Sequence, residues 1–542
     1  YMSAVVAMTG RGGWPMSVML TPELKPFWGG TYLPKDHLLQ LCAKVKEVWA
    51  GDPKQILQTG DQLSGALSQM DRGGEPIAGV PDQEIFRRFL GQANEVFDPE
   101  EGGFSAAPKF PSASAIRTLL RLSRFPSTFD QAHSALEMAE KSLEGMACGG
   151  IFDQLGGGFH RYSVDARWLV PHFEKMLTDN ALLAVAYLEA YQLTGREIFS
   201  GVARETLDYL LRDMRAPGGA FFAAEDAGPV GKEGEFYVWN YAELEDLPQF
   251  ADFFRHFAVI KEGNFEHGTN VLCLGEAEDW EPSRDGNALR AREELLRRRS
   301  KRPRPHRDEK ILTGWNGLTL AALSLGAATL NEARFLKAAE ESAAWMKKNL
   351  WNGKTLYRRY AGGEAKYQGT ASDYAFLIDG LIQLYQAGFN EDHLLWAREL
   401  QAALDKDFWD EAGGGYFTAS RTEENLIVRK KDRHDGAIPS PNSVSYRNLL
   451  ALAQYFVEPA LGERANKLLE FMKPVLEGMP FGAPEAGVGF YFHHRGENLL
   501  VLSQVSDEAV ESVRGFLPEV LLARTGAEES RIPALRGKSK PA

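Results

Sequence analysis

Cysteine is scarce: Cys42, Cys148 and Cys273 are the only three in 542 residues, widely spaced and odd in number. They exclude a disulfide framework and a Cys-x-x-Cys or metal-knuckle pattern, and a reducing, cytoplasmic compartment is the expectation. No cluster of His, Cys and Asp has metal-ligand spacing, so no metal is expected. The glycine-rich stretches lack GxGxxG and Walker spacings, so no nucleotide and no other cofactor is expected. Positive charge is in deficit, 61 Lys and Arg against 74 Asp and Glu for a net −13, which argues against a globally basic nucleic-acid surface. Long apolar runs are missing too. The uncharged stretch from Ile311 to Asn331 is broken by Asn316, three Gly and three Thr, short of the ~20 apolar residues a bilayer span needs. A helix buried inside a soluble protein is expected there, and no membrane partner. Residue 1 is Tyr and the first twenty residues read as domain interior, so no targeting peptide is expected and the N-terminus is expected to be a cut end.

What is present is a globular composition, 44% hydrophobic and 25% charged, with length for three or four units at ~150 residues each. The sequence repeats itself. Pro171-His172-Phe173-Glu174-Lys175 recurs as Pro305-His306-Arg307-Asp308-Glu309-Lys310, the two histidines 134 residues apart. Each copy runs into a stretch that is apolar nearly all round, Ala181 to Leu188 and Leu318 to Leu330, as in helices without a solvent face. Ser372-Asp373-Tyr374 and Ser440-Pro441-Asn442 begin similar runs, with hydroxyl caps and Pro at a first helical position. Between them lie helices with one apolar stripe, such as Phe335, Leu336, Ala339, Ala343, Met346 and Leu350, the spacing of a single dry face. Gly-rich aromatic hairpins recur at Phe97 to Phe104, Gly156 to His160, Gly218 to Phe222 and Phe408 to Phe417. Buried helices alternating with one-sided helices about every 60 residues describe a mainly α fold, an (α/α)6 toroid with inner and outer rings, over residues 95–500.

Residues 1–75 read differently, as strand, turn, strand and helix around Ser17 to Thr21 and Thr31 to Leu33. That is half a domain, which leaves Phe27 and Trp28 uncovered. Residues 501–542 are expected to continue a strand at Leu499 to Ser503 into a helix, before a disordered polar end from Gly537.

Several blocks are specific. Ala7-Met-Thr-Gly-Arg-Gly-Gly-Trp-Pro15, Gly29-Gly-Thr-Tyr-Leu-Pro34, Ala107-Pro-Lys-Phe-Pro111, Gly156-Gly-Gly-Phe-His-Arg-Tyr-Ser-Val-Asp165, Val170-Pro-His-Phe-Glu-Lys-Met-Leu177 and Ser372-Asp-Tyr-Ala-Phe-Leu377 closely resemble the spermatogenesis-associated protein 20, thioredoxin domain-containing family. The resemblance implies an N-terminal thioredoxin-like domain, here a truncated α/β piece, followed by a six-hairpin glycosidase-like toroid similar to N-acylglucosamine 2-epimerases. It also implies that Pro15 takes the cis-proline place of a thioredoxin-like fold. The family's Cys-x-x-Cys type segment stands upstream of Gly12-Gly-Trp-Pro15, so a chain starting at Tyr1 is expected to lack dithiol exchange.

The ligand expected at the toroid mouth is small and polar, a carbohydrate; oligomeric state is left open. Three functions compete. His172 and His306, each just before an inner helix, are candidate acid and base for sugar epimerisation, since His titrates near neutral pH; a duplicated helix start produces the same motif. Asp179 and Asp373 lie at matching helix starts and are the candidate carboxyl pair of a glycoside hydrolase, or they serve the helix dipole. A redox-linked, chaperone-like binding protein is the third. His160, Arg161, Asp153 and Glu174 in or near the Gly-rich hairpin are candidate ligand contacts, with Asn316 and Asn442 at helix starts. Trp168, Trp239, Trp315 and Tyr374 offer faces for a sugar ring, or core packing. The ten basic residues from Arg290 to Lys310 are interrupted by Glu293 and Glu294 without interleaved aromatics, and read as a solvated helix with no nucleic-acid partner.

Overall fold

The computed structural model describes residues 1–70, 76–125, 130–229, 231–247, 250–423, 426–496, 498–514, 521–525 and 530–538. Two compact units emerge: Tyr1–Glu75 with Phe417–Lys431, and Pro76–Tyr416 with Asp432–Ala542.

In the first unit Ser17–Leu20 and Pro26–Gly30 pair antiparallel, Ser17 opposite Gly30, with an irregularity after Met19. Helices Met2–Thr9, Lys35–Gly51 and Pro53–Met70 accompany the hairpin. Ala4 and Val5 are buried, and the helix Met2–Thr9 lies close to Gly29, where a Cβ would be 3.0 Å from Val5 Cγ2 and 2.7 Å from Met8 Cε. The Trp14–Pro15 bond is cis. Phe27 and Trp28 are half-buried, better covered than a bare hairpin would leave them.

The second unit is an (α/α)6 ring. Its inner helices are Ala113–Leu122, Leu177–Thr194, Thr313–Leu330, Ala371–Gly388, Pro441–Phe456 and Pro484–His494. Each touches the next, and the last returns to the first. Glu84–Val96, Ala132–Cys148, Glu197–Tyr209, Ala333–Leu350, Glu391–Phe408 and Pro459–Gly478 form the outer layer. Sequence sorts the layers. Thr313–Leu330 buries residues around its whole circumference, whereas Ala333–Leu350 buries one stripe, Phe335, Ala338, Ala339, Ala343, Met346 and Leu350. Among the described residues no helix is long and apolar enough to cross a membrane. Helices Thr313–Leu330 and Ala371–Gly388 approach so closely that a Cβ on Gly317 would sit 2.5 Å from the Phe376 carbonyl carbon, and one on Gly380 2.5 Å from the Gly317 oxygen.

One inserted stretch, about 100 residues between the third outer and third inner helices, departs from the regular period. It carries helix Gly286–Arg299 and adds strands to a small antiparallel sheet, in which Glu225 lies opposite Lys175 on one side and Arg307 on the other. The basic run here is not simply solvated: Arg292 and Arg299 are buried, and Arg292, Arg299, Arg302 and Arg304 are paired with Glu205, Asp153, Glu243 and Glu225. The described residues after 498 pack on the ring. Strands Leu499–Ser503 and Leu521–Thr525 run parallel, and Leu522 donates to Gln386 Oε1 while its carbonyl accepts from Tyr455. Arg514 reaches the Gln386 carbonyl and accepts from Gln192 at its own. Those partners all lie late in inner helices, so this segment closes the C-terminal end of the ring. Residues 539–542 of the expected polar tail lie outside the described residues.

Candidate active site in the ring

Outer helices lead through the Gly-rich hairpins into inner-helix N-termini, and one device fastens three of these hairpins, with a variant at a fourth helix start. Asn180 accepts from Phe159 N–H at 2.6 Å and donates to the Phe159 carbonyl and to Met176. Asn316 does the same to Phe221, with Leu312, and Asn442 to Tyr416, with Asp432. Tyr374 takes this place in the fourth helix, its hydroxyl accepting from Leu356 N–H at 3.0 Å. Asn316, Asn442 and Tyr374, expected as ligand contacts, are thus spent on hairpin backbone.

The expected catalytic residues are dispersed. His172 stacks on Tyr162 with ring centres 4.7 Å apart, and His306, with 77% of its side chain exposed, faces Asp226 at 3.4 Å. They precede the two outer strands of the small sheet rather than face each other across the ring. Asp373 accepts from Gly314 N–H and from the backbone and hydroxyl of Thr370, with Arg358 at 3.3 Å. It ties two helix starts together, and burial raises its pKa against the pull of Arg358. Asp179 is half-buried; desolvation pushes it up to about 7, against Arg161. The helix Thr313–Leu330 stands between the helices that carry these two carboxyls.

Other expected contacts serve the framework. Trp168 is buried and donates from Nε1 to the Glu101 carbonyl; Trp239 is buried beneath the Arg302 guanidinium, 3.9 Å from the ring centre. Trp315 is partly buried against the core. Arg161 pairs with Glu174 at 3.0 Å. His160 is buried edge-on to Tyr237, and burial keeps its pKa well below the ordinary value, so it is neutral. Asp153 receives both Arg299 and Lys175.

The ring itself encloses a cavity of about 80 Å³ to which all six inner helices contribute, room for roughly five to eight water-sized groups. None of the expected site residues lines it. Its polar wall is a buried ionic network instead. Glu189 receives Arg117 and Arg121, each through two hydrogen bonds of 2.7–3.0 Å. Arg117 also holds Glu485 at 2.8 Å. Arg447 Nη2 lies 2.8 Å from Asp379 Oδ1 and 3.5 Å from Glu485 Oε1, so those two oxygens are within about 6.3 Å of each other. The wall supplied by helix Thr313–Leu330 is apolar, with Leu318, Ala321 and Leu325. A signal for these residues exists in the sequence: Arg117, Arg121, Glu189 and Asp379 are charges beyond the first turn of largely apolar inner helices, whereas Asp179 and Asp373 lie within the first turn.

The network separates its carboxyls. Burial pushes Glu189 up, but Arg117 and Arg121 outweigh it and bring the group to about 2. Glu485 is likewise held low by Arg117 and Arg447 despite burial. Asp379 goes the other way: burial raises its pKa more than Arg447 and Arg117 lower it, and Glu485 adds to the rise. Two neighbouring carboxyls whose surroundings push their pKa values in opposite directions are the arrangement acid–base chemistry uses. Among the described residues no group of three or more His, Cys, Asp or Glu is placed to hold a metal, and Cys42, Cys148 and Cys273 are free thiols.

A family model for a thioredoxin-like DsbH domain, described as a protein of unknown function, DUF255, matches residues 1–68. Human spermatogenesis-associated protein 20 is 35% identical over 90% of this chain and 69% of its own length; the mouse protein of that name is 34% identical over 90% and 68%. The chain therefore spans about two thirds of these relatives. Among solved structures, a cellobiose 2-epimerase from Spirochaeta thermophila is similar at a TM-score of 0.47 and 18% identity, over 74% of this chain and 86% of that one. A thioredoxin-like N-terminal region joined to a six-hairpin toroid, with mammalian relatives matching along nine tenths of its length, places the chain in the spermatogenesis-associated protein 20 family.

Proposed function

We propose that this is a sugar-processing protein whose ligand, of monosaccharide size, binds in the central cavity of the ring. A pyranose has a rim of hydroxyls and apolar C–H faces. The cavity offers planar hydrogen-bonding groups, Arg117, Arg447, Asn448 and Asp379, together with Leu318, Ala321 and Leu325. The reaction that suits these groups is proton exchange at the carbon beside the open-chain carbonyl. Asp379 takes and returns the proton, and Arg117 and Arg447 hold the oxyanion that develops on the enediolate. The observation that carries this reading is the Arg447 bridge, which sets Asp379, a stronger base for its raised pKa, beside Glu485, whose pKa is held low. His172 and His306, outside the cavity, are given no step.

Incubation in deuterated water with a panel of reducing sugars tests the proposal. Deuterium is expected at C2 of at least one sugar, lost in Asp379→Asn with the fold intact by circular dichroism. No incorporation across the panel by the folded wild-type chain refutes it. A second reading, glycoside hydrolysis by Asp379 as acid and Glu485 as carboxylate, draws on the same spacing of about 6.3 Å or less, near the range of paired glycosidase carboxyls. Its signature is release of new reducing ends from oligosaccharides.

A further inference from the structure

A second polar cavity, of about 150 Å³, shares no lining residue with the first. It is walled by Lys175, Arg212, Arg299 and Arg304, with the rings of Tyr209 and Tyr237. Three carboxylates face these four cations. Asp153 takes Arg299 through both oxygens at 2.8 Å and Lys175 Nζ at 2.8 Å. Glu225 takes Arg304 Nε at 2.6 Å and the Tyr209 hydroxyl at 2.8 Å. Asp213 is shared by Arg304 at 2.9 Å and Arg212 at 2.5 Å. Every carboxylate thus serves more than one donor, and one positive charge has no counterpart, a costly state for groups held away from water.

The cost falls on Lys175, which is buried with its amine 4.4 Å from the Tyr209 ring centre. Burial pulls its pKa down; Asp153 and Glu225 oppose this, and Arg299 reinforces it. The remaining titratable neighbours, His160, Tyr209 and Tyr237, are kept neutral by burial. Arg212 and Arg304 each keep 43% of the side chain exposed, which puts them on the solvent side of the cavity.

We propose that this cavity binds a small oxyanion, the carboxylate of a short organic acid or a phosphate group, between the guanidiniums of Arg212 and Arg304 with Lys175 behind them. Guanidinium forks match either group, and a single negative charge brings the cavity to neutrality.

Calorimetric titration of the whole chain with acetate and with inorganic phosphate, at fixed ionic strength in chloride, is the test. Saturable heat with at least one anion is expected, and the tighter of the two identifies the source. Arg212→Gln leaves Asp213 paired with Arg304 and should still fold; it is expected to weaken binding by roughly tenfold or more, with Arg212→Lys in between. Asp379→Asn, in the other cavity, should bind the anion as wild type does. No saturable heat with either anion, or wild-type affinity in a folded Arg212→Gln, overturns the proposal. The unfolding temperature of each variant without anion reports folding separately.

Discussion

Replacing Glu189 by Gln removes one negative charge from between two buried guanidiniums and keeps the side-chain shape. Four hydrogen bonds of 2.7–3.0 Å end on this carboxylate. After the change Arg117 retains Glu485, whereas Arg121 keeps only the Arg117 carbonyl. Breaking a buried pair by removing one partner costs about 3–5 kcal/mol. The same contacts depress the pKa of this buried group from 4.5 to about 2, which corresponds to about 3 kcal/mol. The ring unit has roughly 450 residues, so its unfolding entropy is near 1 kcal/mol/K and Tm should drop by about 3–5 °C. Scanning calorimetry at pH 7 measures this.

The pH dependence makes the test sharper. Glu189 is more acidic in the folded than in the unfolded chain, so its contribution is complete above the unfolded value of about 4.5 and is lost as pH falls toward about 2. The gap between wild type and Glu189→Gln should therefore be constant from neutral pH down to about 4.5 and narrow below it. A Tm difference under about 1 °C at pH 7, or one that does not narrow in acid, would refute the claim that this carboxylate neutralises the two arginines.

Further outcomes follow from other parts of the ring. Asn442→Ala frees the backbone groups of Tyr416 and the Asp432 carbonyl and should cost about 2–4 kcal/mol in urea unfolding, with sugar-dependent deuterium exchange retained once folded. Gly317→Ala should destabilise despite alanine's better helix propensity, because its Cβ meets Phe376 backbone at 2.5 Å; Gly91→Ala, on the outer helix with open space around it, should gain up to about 1 kcal/mol. Asp179→Asn should raise Tm at pH 8 and leave it unchanged at pH 4. With Asp179 pushed up to about 7 by burial, the folded chain loses stability as pH rises from about 4 to about 7, and the amide escapes that loss.

The ring was legible because its causes are local. Apolar residues on every face mark Thr313–Leu330 as inner, one stripe marks Ala333–Leu350 as outer, and the hairpin glycines recur at fixed offsets. The same periodicity misdirected the reading of the site. Residues that repeat with the helices, Asn316, Asn442, Tyr374 and Asp373, repeat because these helix starts need their hairpins fastened and their backbone capped, and the structure uses them for that. Function in a repeated fold has to come from what breaks the repeat. Glu189 and Asp379 have no counterpart in Thr313–Leu330, whose cavity-facing positions are Leu318, Ala321 and Leu325, and the asymmetry of charged and apolar walls arises from that difference. Which charges meet is set by ring closure, since Arg117 and Glu485 are 368 residues apart and touch only when the sixth inner helix returns to the first. A charge beyond the first turn of a largely apolar inner helix is thus a better pointer to the centre of such a ring than a motif found twice.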